Sequence, residues 1–222
     1  MSSRRTGAPI ASVGGHPNGQ VPRALREEQL LDTALSVFAE QGYEATSIVD
    51  IAAAAGVTRP VVYKHYGSKD GIYLACLRRA RQQLERQLAE AIDPDEDAEG
   101  QLRAGIDAYF RFVEDNGREW DVLFGNGMPV SGPAADGALQ LRRNTADVIA
   151  GLLAQAAPNL DAQTIDAFSQ ALNGTGVELA RWWRRHPALT REQVVAYHLT
   201  FAWGGLASVA GDAAATTADD GR

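Results

Sequence analysis

Between residues 23 and 92 the chain is cut three times by a glycine, at Gly42, Gly56 and Gly67, and each is followed within a few residues by serine or threonine. Glycine ends a helix because it enters the left-handed region at no steric cost, and a hydroxyl side chain opens one by accepting from an unpaired N–H. The region is thereby confined to four helices joined by tight turns. The first starts at Arg23, with Leu31, Ala34, Leu35 and Phe38 at helical spacing, Arg26, Glu27, Glu28 and Glu40 opposite them, and Gly42 as its stop. A short second helix, capped by Thr46 or Ser47, carries Ile48, Ile51, Ala52 and Ala55 on one face. Thr58 is placed to cap a third, which reaches about Tyr66 and holds Pro60 in its first turn, where a missing N–H costs little. Ser68 can cap a long fourth helix with Ile72, Leu74, Leu77 and Leu84, ending near Ile92.

Five further helices are expected, roughly over 98–116, 118–125, 135–156, 161–185 and 190–210. Asn116-Gly117, the loop from Gly125 to Pro133, Pro158 and His186-Pro187 separate them. No stretch alternates as a strand would and no repeat is visible, so the fold class is all-α. Residues 1–22, rich in Gly, Pro and Ser, read as a disordered N-terminal arm, and 212–222 as a flexible tail. No apolar run approaches the roughly 18 residues that a membrane span needs, and the first 20 residues lack the apolar core of a secretory leader. A cytoplasmic protein without a membrane partner is the expectation.

Charge is unevenly divided. The net charge is −7, yet residues 1–90 carry eleven Lys or Arg against nine acids, leaving −9 on the remainder. A mildly basic head on an acidic body suits a head that approaches phosphates. The single cysteine, Cys76, rules out an intrachain disulfide and a cysteine-based zinc cluster, and reads as a small buried apolar residue. His16, His65, His186 and His198 show no metal-ligand spacing, and neither a nucleophile elbow nor a phosphate-cradling glycine loop occurs. The acids from Asp93 to Glu99 look like a solvated linker. No enzyme activity and no cofactor are expected. The alternatives are a helical protein–protein adaptor, which would not bind DNA, and, less readily, an enzyme.

Two short helices joined by a glycine turn, the second opening on small and basic residues, have the layout of a helix-turn-helix. Ala52 to Ala55 allow close helix approach and Gly56 permits the turn. The stretches Gly42-Tyr43-Glu44-Ala45-Thr46-Ser47, Ile51-Ala52-Ala53-Ala54-Ala55-Gly56-Val57 and Val62-Tyr63-Lys64-His65-Tyr66-Gly67-Ser68-Lys69 resemble the DNA-binding region of the TetR (tetracycline-repressor-like) family. The match covers about residues 23–75. It implies a helix-turn-helix DNA-binding domain over 23–68 joined to a helical ligand-binding and dimerisation domain over 69–211. The resemblance further implies that Tyr63, Lys64, His65 and Lys69 contact the DNA backbone, assisted by Thr46 and Ser47. Thr58, Arg59, Pro60 and Val61 then open the base-reading helix. Lys and Tyr suit phosphate contacts, Arg can pair with guanine, and Val can pack on a thymine methyl. Pro60 and Val61 stand where the family more often has Gly and Thr, Tyr66 where it has Phe and Gly67 where it has Pro. Packing is the alternative role for Tyr63, for Tyr66 above all, and for His65, while Lys69 has that of a solvated charge.

The family also implies a homodimer that binds a palindromic operator and is released by a small apolar or amphipathic inducer, with repression the usual outcome. Val177, Ala180, Trp183, Leu199, Trp203, Leu206 and Val209 on the last two helices are the candidate dimer interface, unless they close the monomer's own core. Tyr109, Phe110, Val113, Trp120, Leu123, Phe124, Met128, Leu152, Phe168, Leu172 and Asn173 are the candidate pocket, unless they simply fill the interior.

Overall fold

A computed structural model of the chain describes residues 22–125, 127, 129 and 131–219, and the side chains among them apart from 142–144, 156 and 207–219. The arm at 1–21, Met128 and the last three residues of the tail lie outside the described residues, as does the Val209 side chain. Among the described residues there are nine helices and no strand: α1 (Arg23–Ala45), α2 (Ile48–Ala54), α3 (Arg59–Tyr66), α4 (Lys69–Ala91), α5 (Ala98–Asp115), α6 (Gly117–Phe124), α7 (Pro133–Ala156), α8 (Ala162–Trp183) and α9 (Arg191–Asp219). No helix described is long and apolar enough to cross a membrane.

Side chains at the helix starts explain most of the boundaries. Ser47, not Thr46, caps α2: its hydroxyl receives the Asp50 N–H at 3.3 Å, while the Asp50 carboxylate accepts the Ser47 N–H at 2.8 Å. Ser68 caps α4 through the Gly71 N–H, and Asp161 caps α8. Asp97, one of the acids expected to be mere linker, caps α5 by accepting from Gly100 N at 2.8 Å. Helix α9 continues to Asp219, well past the end expected near 210, because the alanines at 213–215 offer the backbone no reason to stop.

Helices α1, α2 and α3 close over Leu30, Ala34, Ile51 and Val62, all fully buried, and α4 lays Ile72, Cys76 and Leu77 against the same core. Burial pushes the Cys76 thiol up to about 12, so it is an inert packing residue. In the body α7 packs on α8 and α5 on α9, with α4 running between the two regions. Ion pairs fasten these layers. Arg191 on α9 binds Asp107 and Glu114 of α5, and Arg184, just past the end of α8, binds Asp121 of α6.

Head and body also touch without side chains. Gly42 breaks α1 at φ 78°, and the Tyr43 N–H beyond it donates to Gly127 O at 2.7 Å. A Cβ on Gly127 would stand 2.8 Å from Gly42 Cα, too close for any residue but glycine.

Candidate nucleic-acid interface and ligand cavity

The phase of α3 sorts its residues. At 100° per residue, positions 59, 60, 63 and 64 share one side and 62, 65 and 66 the other. Arg59, Pro60, Tyr63 and Lys64 are exposed, as is Thr58, whose hydroxyl makes no capping bond and remains free at the helix start. Tyr63 is 51% exposed, which removes the packing alternative for it. Val61 lies between the two sides, half-buried against the core.

The inner side ties α3 to α1. Val62 is fully buried, and the Tyr66 hydroxyl donates to Glu27 O at 2.9 Å. Burial drives that phenol up to about 12. The His65 side chain, only 9% exposed, places Nδ1 3.2 Å from Glu27 Oε1. His65 therefore does not face a phosphate as expected: it lies a third of a turn from Tyr66 on the packed side. The Glu27 carboxyl, bonded first to Arg23 and then to His65, is held below its ordinary range.

One further expectation is corrected, and a second residue gains a packing role beside the one expected. Thr46 is 2% exposed and its hydroxyl donates to Gly42 O at 2.7 Å, so it seals the end of α1 and does not reach outward. Lys69 is half-buried; its Nζ donates to Tyr43 O at 3.0 Å and lies 4.0 Å from the centre of the Tyr43 ring. Its amine is thus a strut between α4 and α1. Tyr43 itself stacks on Phe38 and donates its hydroxyl to Asp70; burial and that carboxylate raise its pKa. Ser47 stays at the surface, half-exposed, with its hydroxyl engaged in the capping box.

The body holds a cavity of about 300 Å³ among α4, α5, α7, α8 and α9. Four of the expected residues line it, namely Tyr109, Leu152, Leu172 and Asn173. Five do not: Phe110, Val113, Trp120, Leu123 and Phe124 are buried in the packed interior. Trp120 there donates its indole N–H to the Tyr109 hydroxyl at 3.0 Å. Phe168 also stands away from the cavity, near Gly205 of α9. Aromatic rings fill volume, so the void falls where aliphatic and small residues meet: Leu84 and Leu88 of α4, Gly105 and Ile106 of α5, Thr145 and Ile149 of α7. Clusters of aromatics in the sequence point to the full part of the body.

Four of the expected dimer residues are corrected in the same way. Ala180, Trp183, Leu199 and Leu206 are buried within the monomer, Val177 packs half-buried on the core, and Trp203 lines the cavity. Beyond Glu192, α9 shows to solvent the stripe Gln193, Ala196, Tyr197, Thr200, Phe201 and Gly204, with Phe201 68% exposed. On α8 the small residues Ala167, Ala171 and Gly174 are outermost. Helical phase separates 197 and 201 from 199 and 206, and could have found them.

Among the described residues no cluster of His, Cys, Asp or Glu could hold a metal ion. Comparison with known proteins covers both halves of the chain. A family model for bacterial regulatory proteins of the tetR family matches residues 30–76, and one for the tetracyclin repressor-like C-terminal domain matches residues 98–205. Over 209 residues the chain is 29% identical to the HTH-type transcriptional activator FasR of Mycolicibacterium smegmatis, spanning 94% of this chain and 95% of that one. The HTH-type transcriptional repressor KstR2 of Mycobacterium tuberculosis is 25% identical over 188 residues, 82% of this chain and 92% of its own. The crystal structure of a TetR-like transcriptional regulator from Rhodococcus sp. RHA1 superposes with a TM-score of 0.70 at 30% identity, covering 85% of this chain and 99% of that one.

Proposed function

The chain belongs to the tetR family of bacterial regulatory proteins, and from that premise we propose that it seats the outer side of α3 in the major groove of a palindromic operator as one half of a homodimer. The observation that carries this reading is the split of α3 into a packed side and a bare one. Arg59 stands at the start of the helix, where a bidentate contact to guanine is within its chemistry, with Pro60 beside it and Val61 partly turned away. Tyr63 and Lys64 lie one turn further along the same side and serve as phosphate contacts, with the Thr58 hydroxyl as a third. Head and body divide at residue 68, and the protein acts in the cytoplasm, where its operator is.

One helix-turn-helix covers a half-site, so two-fold pairing supplies affinity and specificity. The exposed stripe on α9, centred on Tyr197 and Phe201, together with the small-residue side of α8, is the surface that pairs. A small apolar molecule enters the body cavity and releases DNA. Helix α4 connects the two events: it follows α3 after a single turn and lines the cavity with Leu84 and Leu88. Relatives that activate and relatives that repress both resemble this chain, and repression is the outcome we assign to it.

Selection of genomic fragments by the purified protein gives the operator, and titration of Arg59→Ala and Lys64→Ala on matched and altered sites at two salt concentrations tests the roles. Arg59→Ala should lose about 1–3 kcal/mol of discrimination at one base position, and Lys64→Ala should weaken every sequence alike. Identical behaviour of the two variants, or selected sites without paired half-sites about one helical turn apart, would refute the assignment.

A further inference from the structure

The two polar side chains on the packed side of α3 both bond to one residue of α1. The Tyr66 hydroxyl donates to the Glu27 carbonyl oxygen at 2.9 Å, and His65 Nδ1 lies 3.2 Å from Oε1 of the Glu27 carboxylate. A carboxylate only accepts, so Nδ1 carries the hydrogen and donates it. The rest of the grip on α3 is of another kind. With eight residues the helix is too short to hold itself, and the Gly56 turn, closed by Val57 N–H to Ala52 O at 2.9 Å, and the step at Gly67 fix where it begins and ends. Along its length Val62 is fully buried and Val61 half-buried. Apolar burial is non-directional, so it opposes lifting α3 off the core far more than turning it about its own axis. The bonds to Glu27 are directional and set that rotation. A turn of about 10° carries an atom roughly 6 Å from the axis by about 1 Å, which is enough to break a paired contact to guanine.

Charge makes the place of Glu27 more telling. A carboxylate beside the helix that meets DNA repels phosphate whatever the sequence, and so lowers affinity for every duplex. Arg23, 79% exposed, offsets that charge by donating from Nε to the same Oε1 at 2.8 Å. What the carboxylate contributes in return is geometry, delivered to the underside of α3 through His65.

We propose that Glu27 is a positioning residue for operator recognition: by accepting from His65 and Tyr66 it fixes the rotation of α3, and it thereby sets base discrimination from the side of the helix turned away from the duplex. The inference rests on the reading of α3 as the base-reading helix. Full-length protein is titrated with the duplex that the wild type selects from genomic fragments and with a scrambled duplex of equal length. Glu27→Ala and Glu27→Gln remove the same charge, so both should bind the scrambled duplex at least as well as the wild type. Glu27→Ala should lose about tenfold in the ratio of selected to scrambled affinity, whereas Glu27→Gln, whose amide oxygen still accepts from His65, should keep that ratio within about twofold. In a His65→Phe background Glu27→Ala should change the ratio no further. The Tyr66 bond runs to the main chain of residue 27 and survives each Glu27 substitution. In the wild type, ¹⁵N NMR should find hydrogen on His65 Nδ1, a readout that needs no variant to fold. An unchanged ratio in Glu27→Ala, an equal loss in Glu27→Gln, or a bare Nδ1 in the wild type overturns the positioning role and leaves α3 the reading helix. A wild type that does not tell the selected duplex from the scrambled one overturns that reading as well.

Discussion

The head and the body are built from the same materials, amphipathic helices with aliphatic inner faces, and they use them to opposite ends. In the head, the polar groups around the core are spent on one another: Ser47 with Asp50, Tyr66 and His65 with Glu27, Lys69 with Tyr43 O. Fully buried Leu30, Ala34, Ile51 and Val62 fill its interior. In the body, comparable helices stop short of closing and leave about 300 Å³ of space. Completeness holds a short rod at a fixed angle to its support, whereas incompleteness leaves free energy for a guest to release. A regulator needs both, and here they are separated along one chain.

The contrast can be broken most forcefully by truncating equal side chains on its two sides. Leu30→Ala should cost about 2–5 kcal/mol in denaturant unfolding, while Leu152→Ala, which already borders empty space, should cost less than about 2 kcal/mol. Similar losses would mean that the cavity is closed in solution. Acidification probes the body next. His198 has a folded-state pKa of about 4 against an ordinary 6.5, so the unfolded chain binds its proton first as pH falls. The contribution is complete above pH 6.5, declines as pH drops towards 4, and amounts to about 3 kcal/mol. His198→Phe should flatten the stability profile in that window relative to wild type, and parallel profiles would show that the ring is hydrated.

Smaller effects sharpen the head. Ser47→Ala opens the capping box and should cost about 1 kcal/mol, seen as a lower midpoint of unfolding. The two lysines give the finest distinction. Lys64→Ala should leave stability within about 0.5 kcal/mol of wild type and lower the slope of log affinity against log salt by about one. Lys69→Ala should lower the melting temperature too, since it removes the strut to Tyr43 O. A Lys69 variant as stable as the Lys64 variant would remove the strut and leave Lys69 to the phosphate contacts alone.

Helix order is legible in the sequence because glycines and capping hydroxyls act over one turn, and Ser47, Ser68 and Gly67 do locally what their chemistry says. The outward half of α3 is legible for a similar reason, through the resemblance and the helical phase together. His65 and Thr46 escape because residue type suggests a polar role while position decides its direction. The cavity escapes further. Space is set by what five helices fail to fill, so Gly105, Thr145 and His198 acquire meaning only when α5, α7 and α9 are brought together. Tyr197 and Phe201 lie between these extremes, since periodicity places them opposite Leu199 and Leu206 and burial confirms which pair faces out.

The glycine-to-glycine meeting of residues 42 and 127 bears on any attempt to transplant this head onto another regulator. A splice at residue 68 would inherit one glycine from each parent, and a recipient with a side chain opposite Gly42 would wedge its new head open. Hybrids should be chosen by matching that bare pair first, ahead of overall likeness between the parents.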